Sequence, residues 1–267
     1  MILTVSVICI LFLIWFVILF NAVFIENSNP SNTYRSGNFN GFSIIIAAKN
    51  EEEHLSKLLN SLERLDYPLE HFEIILIDDN SIDNTYQIAL AHSKSFSNIK
   101  IIKAGDKKLP AKKGALQIGY ENAKFEYIVT TDADCEVPEN WLIELNAKIE
   151  SGFDVIIGNV KFAEKNGFWY NFFQIEQIKT RFLMFGLANL GLPYTSAGPN
   201  FCFKKEILDK LGGYGKISQI LSGDDDLLLN EAGKMGYRIT TGEFDNPVAT
   251  APPEGLNSFL KMKKRHT

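Results

Sequence analysis

Apolar and polar positions divide the chain into three stretches. Ile2 to Phe20 is interrupted only by Thr4 and Ser6, and Asn21, Ala22, Val23, Phe24 and Ile25 follow before the first charged side chain, Glu26. A helix of about 20 mostly apolar residues can cross a bilayer core, so residues 1–25 are expected to be a transmembrane anchor. A secretory signal peptide would show a basic start, a shorter apolar core and a small-residue cleavage site, and none of these is evident. Glu26–Asn40 (ENSNPSNTYRSGNFN) has the composition of a linker. Residues 41–267 then read as a folded domain.

Within that domain, short β-branched runs alternate with helical spacing. SIIIAA (Ser43–Ala48) predicts a strand, followed by Asn50 as N-cap with Glu51, Glu52 and Glu53 in the first turn, where acids suit the helix dipole. Leu55, Leu58, Leu59 and Leu62 continue at helical spacing. Strands are predicted at Glu73–Ile77, Ile99–Lys103, Tyr127–Thr131 and Val155–Asn159, with helices at Lys112–Asn122 and Glu139–Ile149. Continuously apolar strands alternating with helices imply an α/β fold, a mostly parallel sheet with helices on both faces.

Composition narrows the function. The 27 Lys+Arg against 32 Asp+Glu leave a net charge of -5, which argues against a nucleic-acid binder. Cys9, Cys135 and Cys202 form no CxxC pair, and His54, His71, His92 and His266 have no metal-ligand spacing. A reducing, cytosolic setting is the simpler reading.

Acidic clusters stand where an open α/β sheet binds ligands, beyond the carboxyl ends of its strands. Asp78-Asp79-Asn80-Ser81 follows the second predicted strand and Asp132-Ala133-Asp134 the fourth. Two carboxylates one residue apart can address a divalent cation, ribose hydroxyls or both, although a lone DxD is weak because Asp is common in turns. A third cluster, Gly223-Asp224-Asp225-Asp226, opens a helix continuing Leu227-Leu228-Leu229. Capping accounts for one or two of these acids. Three in a row repel one another and raise at least one pKa, as a general base requires.

The ordered set SIIIAAKNEEE, ILIDDNS, AKKGAL, TDAD, GPN with FCFKKEIL, and SGDDDLLL resembles the family 2 glycosyltransferases of GT-A fold, from about Phe42 to the C-terminus. The resemblance implies an inverting sugar transferase using a nucleotide-diphospho-sugar, usually a UDP-sugar, with Mg²⁺ or Mn²⁺. It implies that Ala47, Ala48, Asn50 and Glu51 line the nucleotide pocket and that Asp78 and Asp79 read uracil and ribose. Lys112 would lie near the base and diphosphate, and Asp132 and Asp134 would be the DxD pair, Asp134 the principal metal ligand. Gly198, Pro199 and Asn200 would shape the acceptor side, and Asp225 would be the catalytic base with Asp224 orienting it or the acceptor. Asp226 is expected to be a first-turn acid. The acceptor would be a hydroxyl of a glycan or lipid-linked molecule at the membrane. The catalytic domain is expected to face the cytosol, where nucleotide sugars are made.

Two departures from the family pattern matter. Processive members carry Gln-x-x-Arg-Trp, which braces the acceptor and diphosphate; Met262-Lys263-Lys264-Arg265-His266 keeps only Arg265, expected on the acceptor side, and the chain stops at Thr267 where many membrane-bound relatives enter further helices. A fragment and a short member both fit, and processivity stays open. The aromatic run Phe168-Trp169-Tyr170-Asn171-Phe172-Phe173, extending to Phe182 and Phe185 with Lys179 and Arg181, reads either as a buried helix or as an amphipathic helix on a bilayer surface. Two rival functions remain: a non-catalytic scaffold that has kept the fold, and a nucleotidyltransferase. The first is disfavoured by the retained Asp134 and GDDD cluster, the second by the acidic AAKNEEE where a Gly-rich basic loop would be needed.

Overall fold

The structure, a computed structural model, describes residues 11–17, 38–215, 223–242 and 247–265. Residues 11–17 are helical and their apolar side chains are exposed. The rest of the expected anchor and most of the expected linker lie outside the described residues. Among the described residues no helix is long and apolar enough to cross a membrane.

The domain begins β1 (Phe42–Ala48), α1 (Leu55–Glu63), β2 (Phe72–Asp78), α2 (Thr85–Ser95), β3 (Ile99–Lys103), α3 (Ala111–Asn122) and β4 (Tyr127–Asp132). It continues β5 (Cys135–Glu136), α4 (Trp141–Glu150), β6 (Val155–Gly158), β7 (Val160–Phe162), α5 (Phe168–Asn189), β8 (Phe201–Lys204) and α6 (Glu206–Leu211). The last elements are α7 (Asp224–Lys234), β9 (Ile239–Gly242), β10 (Val248–Thr250) and α8 (Leu256–Arg265). Seven strands form one sheet in the order β3-β2-β1-β4-β8-β6-β9, and β5-β10-β7 form a small second sheet. In the large sheet only β8 runs against its neighbours. The expected mostly parallel α/β sheet is therefore present.

Side chains of β1 alternate between two cores, as a strand's two-residue period requires. Ile44 and Ile46 join the leucines of α1 and Trp141, Leu142 and Leu145 of α4 on one face. Ile45 joins Ala115 and Leu116 of α3, Ile207 of α6 and Leu228 of α7 on the other. A sheet buried on both faces needs apolar residues at every position, which explains the unbroken III of β1.

The start of α1 differs from expectation. The helix begins at Leu55, with His54 at the cap position, and no acid lies in its first turn. Asn50 has a left-handed backbone, φ 56°, which Asn tolerates better than most residues. Its side chain turns away from α1 and accepts the Ile82 amide hydrogen at 3.0 Å. Asn50 therefore fixes the loop rather than capping the helix.

Candidate active site

Register places the acidic strand ends together. Ala47 pairs with Asp132 and Ala48 with Asp78, so β1, β2 and β4 finish at one edge. In the strand order, β2 and β3 lie on one side of β1 and β4 on the other. The connection that crosses from β3 to β4 opens the crevice where doubly wound sheets bind ligands.

The loops after β1, β2 and β3 are tied by polar side chains. The Asn50 amide donates to Ser81 Oγ at 3.0 Å and the Glu51 amide to Thr85 Oγ1 at 2.7 Å. Glu52 Oε2 accepts from the Asn84 amide and side chain at 3.0 and 2.8 Å. Asn80 Nδ2 donates to the Gly105 carbonyl at 3.0 Å. These bonds fix the outline of the pocket through the chain's own groups.

Asp78 and Asp79 are both buried. Lys107 Nζ stands 2.5 Å from Asp79 Oδ1, and the same ammonium donates to the Ala111 carbonyl at 2.6 Å. Lys107 thus neutralises a buried carboxylate and holds the start of α3. Ala111 has a left-handed φ of 50°, a conformation that costs a non-glycine residue about 1 kcal/mol or more. Gly114 permits this arrangement, because a side chain there would run into the Leu109 carbonyl and the Lys107 stem. Lys112, the basic residue expected at the diphosphate, pairs with Asp132 of the DxD.

Asp134 is half-buried and accepts from Thr250 Oγ1 at 3.2 Å. Burial first, then the Asp132 charge, raises its pKa above the ordinary carboxylate value. Glu51 is raised to about 7 by burial and by the charges of Asp134, Asp132 and Asp83. The three strand ends therefore share one negative field, only partly offset by Lys112. Among the described residues no group of three His, Cys, Asp or Glu side chains is arranged to enclose an ion.

The third cluster closes the other side. Asp225 lines a small cavity with Lys112, Leu116, Thr130, Gly198, Tyr214 and Leu228, which brings Asp225 and Lys112 to one space. Its carboxylate lies so close over Gly198 that a side chain at Gly198 would press on it at 3.1 Å. Asp226 is more than a first-turn acid. Its Oδ1 accepts from Thr195 Oγ1 and from the Ser196 amide, each at 2.8 Å. The Asp224 side chain lies outside the described residues, as does that of Arg265.

Two expected pocket residues act from behind the surface. Ala48 is fully buried in the core and offers the site only its backbone, whose carbonyl accepts the Asp79 amide hydrogen at 2.7 Å. Asn200 is fully buried too. It accepts from Trp141 Nε1 and donates to the Asn159 carbonyl, each at 2.9 Å. It shapes the Gly198–Asn200 turn from within the core, while the Gly198 carbonyl accepts from Thr130 Oγ1 at 2.7 Å.

Lys107, Tyr214 and Thr250 join the site without having been singled out in the sequence. Lys107-Lys108 and Lys112-Lys113 form two basic pairs ahead of Gly114, and the first pair was the available signal. Thr250 arrives on a three-residue strand, too short to show any pattern.

Comparison with known proteins agrees with this geometry. The family model described as "Glycosyl transferase family 2" matches residues 43–212. Glycosyltransferase AglE of Haloferax volcanii is 26% identical over 228 residues, covering 84% of this chain and 70% of that protein. Beta-monoglucosyldiacylglycerol synthase of Nostoc sp. is 35% identical over 103 residues, covering 39% of this chain but only 22% of the synthase. Mannosyltransferase PcManGT of Pyrobaculum calidifontis, solved with GDP-Man and Mn²⁺, shares the fold with a TM-score of 0.71 at 18% identity, over 93% of this chain and 68% of that one. With the family model spanning β1 through α6 and the strand-end acids converging on one crevice, this chain belongs to glycosyl transferase family 2.

Proposed function

We propose that the chain is an inverting glycosyltransferase that moves a sugar from a nucleoside-diphosphate sugar, a UDP-sugar by family resemblance, to a hydroxyl of a glycan or lipid-linked acceptor at a membrane. The observation that carries this reading is the shared cavity of Asp225 and Lys112, with Lys112 paired to Asp132. A candidate base and a cation suited to the departing diphosphate face the same space, next to the DxD. A relative named for a diacylglycerol product supports a lipid acceptor. A structural neighbour solved with GDP-Man supports a sugar diphosphate donor.

In this reading Asp78 and Asp79 receive the nucleoside, with Lys107 keeping the Asp79 side of the pocket fixed. Lys112 faces the diphosphate and stabilises the charge that develops on it. Asp225 takes the proton from the acceptor hydroxyl as its oxygen attacks the anomeric carbon. The bond from that carbon to the diphosphate breaks on the opposite face, so the configuration inverts and no covalent enzyme intermediate forms. One base suffices. Asp226 holds Thr195 and Ser196 and so positions the acceptor wall.

Mg²⁺ or Mn²⁺ fits the donor set. Asp132 and Asp134 present hard oxygen ligands, and burial first, then the Asp132 charge, raises the pKa of Asp134, so a cation beside it would favour its ionised form. When bound there, such an ion would supply charge neutralisation at the diphosphate. Asp134 would be the principal ligand and Asp132 the second.

The direct test is nucleoside-diphosphate release by the full chain across a panel of nucleotide sugars, with and without lipid and glycan acceptors. Acceptor-dependent release from at least one sugar diphosphate is the expected result. Release of pyrophosphate from a nucleoside triphosphate instead would assign nucleotidyl transfer.

A further inference from the structure

Helix α5 turns its apolar side outward. Phe168, Phe172, Ile175 and Ile178 fall on one helical stripe, and all four are exposed, Phe168 at 76% and Ile175 at 65%. The inward side is held by few residues, among them Phe173, Met184 and Phe185. The aromatic run fits neither expected reading outright: Phe168, Trp169 and Phe172 are exposed, Phe173 and Phe185 are buried, and Tyr170 and Phe182 are half-buried. Past the helix a second exposed stretch, Leu190, Leu192 and Tyr194, follows residues 179–189, among which no large apolar side chain is exposed. It ends at Thr195 and Ser196, the residues bound by Asp226 beside the candidate base.

Helix α8 joins this surface. Phe259 stacks on Phe173 with ring centroids 4.5 Å apart and meets Phe172 edge-on at 6.1 Å. Leu256 and Leu260 are exposed beside it, and Lys263 Nζ lies 5.5 Å from the Phe259 ring. The charge on the two helices is one-sided. Among the described side chains they carry Lys179, Arg181, Lys261 and Lys263 against a single acid, Glu176, in a chain whose net charge is -5. Aromatic and aliphatic side chains flanked by cations suit the boundary of an anionic bilayer, where rings sit at headgroup depth and each basic residue adds attraction. A second copy fits less well, since a two-fold contact would bring the same basic helices together.

We propose that the joint α5–α8 face docks on an anionic lipid surface and brings the mouth of the site, at Thr195 and Ser196, to the membrane. The inference rests on the membrane-acceptor reading above and names the surface that would serve it. It is separate from the apolar leader, which would tether the chain without orienting the domain.

The test uses the full chain in vesicles that carry doxyl-labelled acyl chains. Cys135 and Cys202 are buried, so with Cys9→Ser as background a nitrobenzoxadiazole label can be placed at one site, by Ile175→Cys on α5 or by Lys94→Cys on α2. These helices pack at opposite edges of the sheet, α5 against β9 and α2 against β3. Quenching at 175 but not at 94, stronger with phosphatidylglycerol than with phosphatidylcholine alone, is expected. Lys261→Gln with Lys263→Gln should shift that docking equilibrium by about tenfold or more. No quenching at 175, or equal quenching at both positions, overturns the proposal. Concentration-dependent self-quenching at 175 without any response to lipid also overturns it, in favour of a second copy. Nucleoside-diphosphate release is followed in the same samples. Release without quenching at 175 defeats docking alone, whereas quenching without release supports docking and counts against the transferase reading.

Discussion

In the proposed reading the crevice has a donor side and an acceptor side, and the two are built differently. On the donor side, loops from three strands are bonded to one another through Asn50, Glu52, Asn80, Ser81 and Thr85, and Lys107 stands against Asp79. On the acceptor side, the stretch from α5 to β8 is held at a few points. Asp226 fixes Thr195 and Ser196, Thr130 fixes Gly198, and Trp141 fixes Asn200. Outside those points it turns apolar side chains to the surface. A pocket whose outline is set by its own polar groups has its ordering cost met before ligand arrives. An open apolar wall suits a partner that brings its own surface, such as a lipid. In that reading the difference would tie donor recognition to fixed polar geometry and acceptor recognition to placement.

That contrast can be broken most sharply at Asp134. Asp134→Ala is expected to abolish cation-dependent binding of the nucleotide sugar, measured by calorimetry with and without Mn²⁺. Because the folded protein raises the Asp134 pKa, its ionised form at neutral pH opposes folding, a penalty that grows as pH rises through the ordinary carboxylate range. The variant should therefore melt no lower than the parent in the absence of ligand. Unchanged cation-dependent binding would remove Asp134 from the site.

The next largest effect concerns the brace of the donor side. Lys107→Ala leaves Asp79 buried without its counter-charge, and breaking a buried pair from one side costs about 3 kcal/mol or more. Chemical denaturation measures it. The paired change Asp79→Asn with Lys107→Met should recover most of that stability while donor binding stays weak. Equal stability in Lys107→Ala would make the ion pair ornamental to the fold.

A smaller effect is expected across the crevice. Asp226→Ala removes an anionic acceptor from Thr195 and from the Ser196 amide, worth about 1.5–3 kcal/mol for a bond to a charged group. It should raise the acceptor KM more than the donor KM. Asp226→Asn keeps an oxygen for both donors and should be mild. Matching rises in both KM values would show that Asp226 supports the whole site rather than one wall.

The same asymmetry governs what could be read in the sequence. Strands β1, β2 and β4 are buried on both faces, so the runs IIIAA of β1 and IILI of β2 declare them, whereas the edge strand β3 is partly exposed. Helix α2 does not, since only Thr85 and Ala89 of its residues are buried. Strand β8 is not among the strands predicted from the sequence, and nothing local in FCFK says that it enters the sheet antiparallel between β4 and β6. That follows from where α5 returns the chain. The acids at strand ends were legible because strand ends are where such sheets bind ligands. The partners that orient them were not. Lys107 is chosen over its neighbours by the turn at Ala111, and Thr250 reaches Asp134 from a strand more than a hundred residues away in sequence. Asn50 was misassigned as a cap because a left-handed Asn after a strand and an N-cap Asn look alike until the loop partner, Ile82, is seen.

Steady-state turnover of Asp225→Asn, set beside its donor affinity, tests the central claim most directly. Asp225, in the first turn of α7, shares its cavity with Lys112, whereas Asp78, Asp79, Asp132 and Asp134, the carboxylates proposed for the donor, stand at or just after the ends of β2 and β4. A positioned general base contributes about 10²–10⁴-fold. Turnover should fall by that much with donor binding essentially unchanged and with Asp226→Asn close to the parent. Near-normal turnover in Asp225→Asn would contradict the account.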